Sequence, residues 1–217
     1  TTLFRSSDAA LARAKAAPEG PVVLFDVGDN VGGGSPGDST HILHAARRLG
    51  VTDLLQALCD PQVVQQAQTA GVGGRIVVSV GGKTDNLHGA PFDVAATVTA
   101  LSDGRYEETG PTHGGFRFFN DGPSCALRTD DGFTLVLTSH AAGSSSLQQF
   151  RALGIEPTAM KTIVAKGVHS PRPAMEPIAK EMIWVATPGV TTADLATFTY
   201  RHRRAPLYPF EPDTVWP

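Results

Sequence analysis

The run Pro21-Val22-Val23-Leu24-Phe25-Asp26 constrains this chain more than any other segment, because its apolar residues follow one another without a polar alternate. A strand with that pattern is buried on both faces, as in parallel sheets covered by helices. A glycine-rich loop follows from Gly28 to Gly37, and then Asp38-Ser39-Thr40 opens a helix that runs to about Leu49 and stops at Gly50. Strand, glycine loop and helix in that order predict an α/β architecture.

The rest of the chain extends this unit. Ser6-Ser7-Asp8 starts a helix to about Ala17 with Ala9, Leu11, Ala12 and Ala16 as its apolar face, and Gly20-Pro21 ends it. Thr52-Asp53 predicts a second capped helix, and Asp60-Pro61 a further one ending at Gly71. Strands are expected at residues 75–80 and 94–101, and residues 126–128 and 133–138 flank Thr129-Asp130-Asp131-Gly132, where Asp-Gly is a hairpin signal. A helix over residues 146–153, an inner strand at 162–166, a short helix around 176–180, a strand at 183–186 and an extended segment from Pro206 to Pro217 complete the reading. The expected fold is a mixed α/β sheet with helices on its faces and an inserted antiparallel hairpin region. It is one domain over residues 1–217, with a lead-in helix at 1–20 and a proline-rich tail at 205–217.

Composition removes several partners. A formal net charge of -3 gives no electrostatic footprint for nucleic acid or an anionic membrane. The basic run Arg201-His202-Arg203-Arg204 reads as a solvated or interface turn. No apolar stretch approaches the roughly 20 residues of a membrane span, and the start lacks a charged segment leading into an apolar one, so a cytoplasmic protein is expected. The absence of a starting methionine fits a processed chain or an excised domain. A chain of 217 residues buries a self-sufficient core, and Cys59 and Cys125 read as ordinary thiols.

The glycine loop is the best candidate site, since backbone amides and a helix start between a buried strand and a helix can receive a negative group. Gly32, Gly37 and Ser39 even keep the frame of a phosphate-binding loop. Asp38 stands where that loop needs lysine, and its repulsion of a phosphate at about 4 Å would cost several kcal/mol, which rejects a nucleotide. The carboxylates and amide of Asp26, Asp29, Asn30 and Asp38 suit a metal-bound or amine-bearing partner. The same groups could instead serve the loop itself, Asp38 as helix cap and Asp29-Asn30 as turn formers. Seven histidines form no His-Glu-x-x-His motif, although His41 and His44 share a helix face with Asp38. No Gly-x-Ser-x-Gly elbow is present. Gly81-Gly82-Lys83 with His88-Gly89, and Lys166-Gly167-Val168-His169 with Arg172, place cations and imidazoles on loops at strand ends, where α/β folds hold ligand groups.

The sequence Pro21-Val22-Val23-Leu24 followed by residues 28–40, Gly-Asp-Asn-Val-Gly-Gly-Gly-Ser-Pro-Gly-Asp-Ser-Thr, resembles the opening of the C-terminal domain of MlrC-type metallopeptidases, the microcystin-degradation protein family. Matches continue in order through Ala70 to Gly73, Gly81 to Lys83, His88-Gly89, Leu137 to Ser139, Phe150 to Gly154 with Pro157, Lys166, His169, Arg172, and Thr187 to Val190. Val31 stands where the family usually has proline, and residues 166–170 shorten a family pattern around His169.

The resemblance implies a metal-dependent hydrolase of amides or peptides, with zinc or another divalent metal held by an N-terminal domain of the same family. It implies no firmly bound metal on this chain and no activity of this chain alone. The catalytic candidates are Asp29, Asn30 and His169, the first two orienting a metal-bound water or a histidine in the metal's outer sphere. The substrate-binding candidates are Gly32, Gly33 and Gly34 through their amides, with Asp38, Ser39, Lys83, His88, Lys166 and Arg172. The partners implied are the N-terminal domain and a peptide or small amide, with homo-oligomer formation left open. Two other classes stay open: a non-catalytic module that binds a small anion or peptide carboxylate, and a structural or oligomerisation domain.

Overall fold

In the computed structural model, which describes residues 4–215, Val22–Asp26 is a fully buried strand inside a large sheet. In chain order the elements are β1 (Phe4–Arg5), α1 (Ser7–Ala16), β2 (Val22–Asp26), α2 (His41–Arg48), β3 (Leu54–Cys59), α3 (Pro61–Ala70), β4 (Arg75–Val80) and β5 (Phe92–Ser102). They continue with β6 (Arg105–Glu107), β7 (Phe118–Asn120), β8 (Ser124–Thr129), β9 (Thr134–Thr138), α4 (Gln148–Arg151), β10 (Thr162–Lys166), α5 (Arg172–Met175) and β11 (Glu181–Val185).

Nine strands form one sheet in the order β1-β11-β2-β10-β3-β9-β8-β5-β4. Pairing is parallel from β1 to β9 along that order and antiparallel from β9 to β4. The fold is therefore mixed α/β, as expected. Side chains alternate across β2, so Val22 and Leu24 join one core with α1, α2 and α3, while Val23 and Phe25 join a second core with Phe150 and Met175. Helices thus cover both faces of the parallel half, and β2, β10, β3, β9 and β11 all end on one rim.

Several local expectations are corrected. Residues 54–59 form a strand, because this short apolar run is buried on both faces between its neighbours β10 and β9. Asp53 caps no helix; it has a left-handed φ of 57° and its carboxylate accepts the Lys161 amide. Asp38 does not cap α2 either, whose N-cap is Thr40 without a side-chain bond. The buried face of α1 is Ala10, Leu11 and Ala14, with Ala9, Ala12 and Ala16 exposed. The helix expected over 146–153 shortens to α4, and the one expected at 176–180 lies earlier, at α5.

The tail is turned, not extended. Phe210 and Glu211 donate to the Leu207 carbonyl, and Arg203 pairs with Glu211 while lying over Phe210. Residues 1–3 of the lead-in and 216–217 of the tail lie outside the described residues. A small antiparallel sheet, β6 with β7, was not anticipated; Tyr106 stacks on Phe119 across it. Among the described residues no helix is long and apolar enough to cross a membrane.

Candidate functional site

The glycine loop leaves the end of β2 on the rim where the parallel strands terminate, the usual place for ligands in open α/β sheets. Parallel pairing sets Lys166, the last residue of β10, beside Asp26, the last residue of β2. The Lys166 ammonium is buried and uses all three protons, on Asp26 Oδ2 at 2.9 Å, Asp29 Oδ2 at 2.8 Å and the Ser39 carbonyl at 3.0 Å. Burial opposes its charge, but the two carboxylates outweigh burial and hold its pKa above the ordinary lysine value.

Asp29 is equally saturated. Its Oδ1 accepts from Ser35 Oγ at 2.5 Å and the Gly37 amide at 2.8 Å, and its Oδ2 from the Ser39 amide at 2.7 Å besides Lys166. The loop between Asp29 and Ser39 is thus wrapped around one carboxylate. Burial pushes that carboxyl up, yet the Lys166 charge and the bonds from Lys166, Ser35 and Ser39 prevail and hold it at about 2. A folded pKa below the unfolded value gives stability that is present above the unfolded pKa and lost as pH falls through the folded one. The domain is therefore expected to lose about 2 kcal/mol between about pH 4 and pH 2 from this group. Urea titrations across that range check this, and Asp29→Asn should flatten the slope.

A second tie comes from the other side. Thr187 Oγ1 donates to Asp26 Oδ1 and accepts the Gly28 amide at 2.9 Å, and Thr191 Oγ1 accepts the Asn30 amide at 2.9 Å. His88, fully buried, faces both oxygens of Asp85 through Nδ1 at 2.9 Å and Ser35 Oγ through Nε2 at 3.0 Å. This line of Asp85, His88 and Ser35 does not make Ser35 a nucleophile. Ser35 is 4% exposed and its single proton goes to Asp29.

Of the predicted residues, Asp29, Asp38, Ser39, His88 and Lys166 gather in this buried framework, and Lys83 reaches it through Asp38. Asp38 Oδ2 accepts from the Lys83 amide, the Thr84 amide and Thr84 Oγ1 at 2.9, 3.0 and 2.9 Å. Lys83 Nζ pairs with Asp60 at 2.7 Å. Lys166, expected to contact substrate, has no donor left to do so.

Gly32, Gly33 and Gly34 are exposed, but the Gly33 and Gly34 amides donate to the Asn30 and Val31 carbonyls, which leaves Gly32 as the amide of the three that closes no turn. His169, on the loop after β10, and Arg172, the first residue of α5, stand apart. His169 is exposed, and Arg172 pairs with Glu176 at 2.9 Å. His41 and His44 form no cluster with Asp38; their Nε2 atoms bond the Leu87 and Ala90 carbonyls and so hold the loop that carries His88.

Sequence reasoning gave no role to Ser35 or Thr187, although both lie in the matched motifs, and it passed over Asp85, whose place three residues before His88 was a local signal. Burial, aided by Asp38 and Asp60, pushes the Cys59 thiol up to about 11, and burial pushes Cys125 up to about 12, so neither is a ready thiolate.

Two cavities flank the loop. One of about 230 Å³ is lined by Leu87, Thr187, Pro188, Gly189 and Phe198, and one of about 350 Å³ by Asp38, Cys59, Asp60, Gln62, Lys83 and Thr84. Among the described residues no group of three or more His, Cys, Asp or Glu side chains is placed to hold a metal ion. Near the loop Asp26 and Asp29 are committed to Lys166 and Asp60 to Lys83 and backbone amides, and Asp38 alone keeps an oxygen without a donor, so the donor set among the described residues does not fit a resident metal.

The profile of a family described as MlrC C-terminus matches residues 24–202. Microcystinase C from Sphingomonas sp is 29% identical over 216 residues, covering 96% of this chain and 39% of the relative. A crystal structure of a candidate metallopeptidase from Mesorhizobium sp. BNC1 superposes with a TM-score of 0.82 at 27% identity, covering 100% of this chain and 42% of that one. The chain thus spans about two fifths of the length of the relatives it matches.

Proposed function

The chain belongs to the MlrC C-terminal family, and from that premise we propose that it is the C-terminal part of a metal-dependent amide or peptide hydrolase. It contributes the glycine loop and the two flanking cavities to a cleft completed by an N-terminal domain. The observation that carries this reading is the Lys166-Asp26-Asp29 framework, which fixes a loop on the strand-end rim while leaving Gly32 to Gly34 facing outward. A loop braced in this way is preorganised, and a preorganised donor costs no rearrangement when charge develops on a reacting group.

In this reading Asp29, Lys166 and His88 are positioning residues. Asp29 fixes the turn, Lys166 ties it to the sheet, and His88 pins Ser35 from the opposite side. The Gly32 amide and the Asn30 side chain are the groups of the loop that meet the substrate, with Lys83 on one bank and His169 and Arg172 as outlying contacts. The metal, zinc or another divalent ion, is assigned to the N-terminal domain, because apart from one oxygen of Asp38 the carboxylates beside the loop are otherwise engaged.

The test compares this chain with the same chain joined to its upstream domain, measuring metal content and turnover of a panel of linear peptides. Stoichiometric metal and activity are expected only in the joined protein. Turnover by the 217-residue chain alone, abolished by a chelator, would overturn the division of labour.

A further inference from the structure

The wall of the cavity beside α3 holds an unsatisfied charge acceptor. Asp38 is 2% exposed and lines this cavity of about 350 Å³, and while its Oδ2 takes three bonds, its Oδ1 is buried with no hydrogen-bond partner among the described residues. A carboxylate oxygen left without a donor away from water is costly, and native interiors rarely keep one unless something fills the place.

The other charges on the cavity wall are accounted for. Asp60 accepts the Val63 amide on Oδ1, and the Gly81 amide and Lys83 Nζ on Oδ2. Lys83 is thus committed to Asp60, and Asp38 remains as an uncompensated negative charge. One free carboxylate oxygen suffices for a hydrogen-bond donor and falls well short of the ligand set of a divalent ion. A cationic donor gains most from it, since bonds between ionised partners are roughly twice as strong as neutral ones.

We propose that this cavity binds a cationic N–H group, an ammonium or a guanidinium, drawn by the Asp38 carboxylate, whose Oδ1, closed to solvent in the empty cavity, accepts one of its protons once a small movement of the wall uncovers it. Thr84 Oγ1, which donates to Asp38, keeps its lone pairs for the same cation, and Gln62 also lines the cavity. The cavity borders the glycine loop, so the group would be a basic side chain or amino terminus of the substrate. That last step rests on the hydrolase reading above; the cation site itself does not.

The test is a titration of the ¹⁵N-labelled chain with methylguanidinium chloride and with methylammonium chloride at constant ionic strength, and with neutral N-methylurea. Saturable shifts of the Lys83 and Thr84 amides are expected with at least one cation and not with N-methylurea. Asp38→Asn can keep its oxygen on those amides while presenting an NH₂ group in place of Oδ1, and should weaken the cation by about tenfold or more. Lys83→Gln, which removes a partly exposed positive charge, should tighten it.

An equal response to N-methylurea, an unchanged affinity in Asp38→Asn, or no saturable shift, which would leave the oxygen to water, overturns the proposal. The hydrolase reading fails separately, through an inactive joined protein, and that result would leave this titration as it stands.

Discussion

Replacing Lys166 with methionine is expected to lower the free energy of unfolding at pH 7 by about 3–5 kcal/mol, the usual cost of removing one partner from a buried ion pair. Methionine fits the volume, so the loss is electrostatic. Asp26 and Asp29 would be left facing each other in a site closed to water, with the Ser39 carbonyl losing its donor as well. One carboxylate would have to take up a proton, and the deficit should therefore shrink as the pH is lowered toward 4.

Arginine should not rescue the site, because its planar fork of five donors cannot reproduce three bonds that converge on one nitrogen. Asp29→Asn combined with Lys166→Met should cost less than the two single losses added together, since the second change removes the charge that the first left unpaired. Urea denaturation of the isolated chain measures all of this. A loss below about 1 kcal/mol for Lys166→Met would place the ammonium outside the network described.

How much of this was readable beforehand depended on chain separation. The strand Val22–Asp26, the stops at Gly50 and Gly71, and the hairpin through Thr129 to Gly132 carry their instructions within a few residues, and all appear where expected. Leu54–Cys59 did not, because a six-residue run that is apolar except for Gln56 is compatible with either period, and only pairing with β10 and β9 decides between them.

The site was legible in its location and not in its wiring. Residues 28–40 announce a loop at a strand end, yet the partner that organises it, Lys166, lies 140 residues from Asp26 and 127 from Ser39. Asp29 and Lys166 look like reactive groups in a sequence, and each is completely engaged in the fold. Asp38 looks like a helix cap, and instead it holds the Lys83-Thr84 turn. Charged residues in a glycine loop are ambiguous for this reason: the same side chains that can bind a ligand can also bind the loop.

The contact that ties these long-range partners to the loop's geometry is made by backbone, and it supplies the largest expected effect on function. Gly28→Ala, in the protein joined to its upstream domain, is expected to cut kcat/KM by about 100-fold. A Cβ at Gly28 would lie 2.3 Å from the Pro188 carbonyl oxygen, 2.4 Å from that of Thr187 and 2.7 Å from Thr187 Oγ1. A Cβ at Gly189 would in turn lie 2.1 Å from the Gly28 oxygen. Two main chains meet there, and no rotamer change can relieve the clash; the segments must part.

Parting them breaks the hydrogen bond from the Gly28 N–H to Thr187 Oγ1 and strains the hydrogen bonds through Thr191, so the loop moves relative to a Lys166 that stays with the sheet. Gly143→Ala is the control, because its Cβ would meet nothing closer than 3.5 Å, and it should match the unmodified protein. Urea curves recorded on both variants separate displacement from unfolding: the displaced loop predicts a folded protein with low turnover. If Gly28→Ala stays within about threefold of the unmodified kcat/KM, the position of the glycine loop does not govern the chemistry, and the cleft must be built from other parts of the rim.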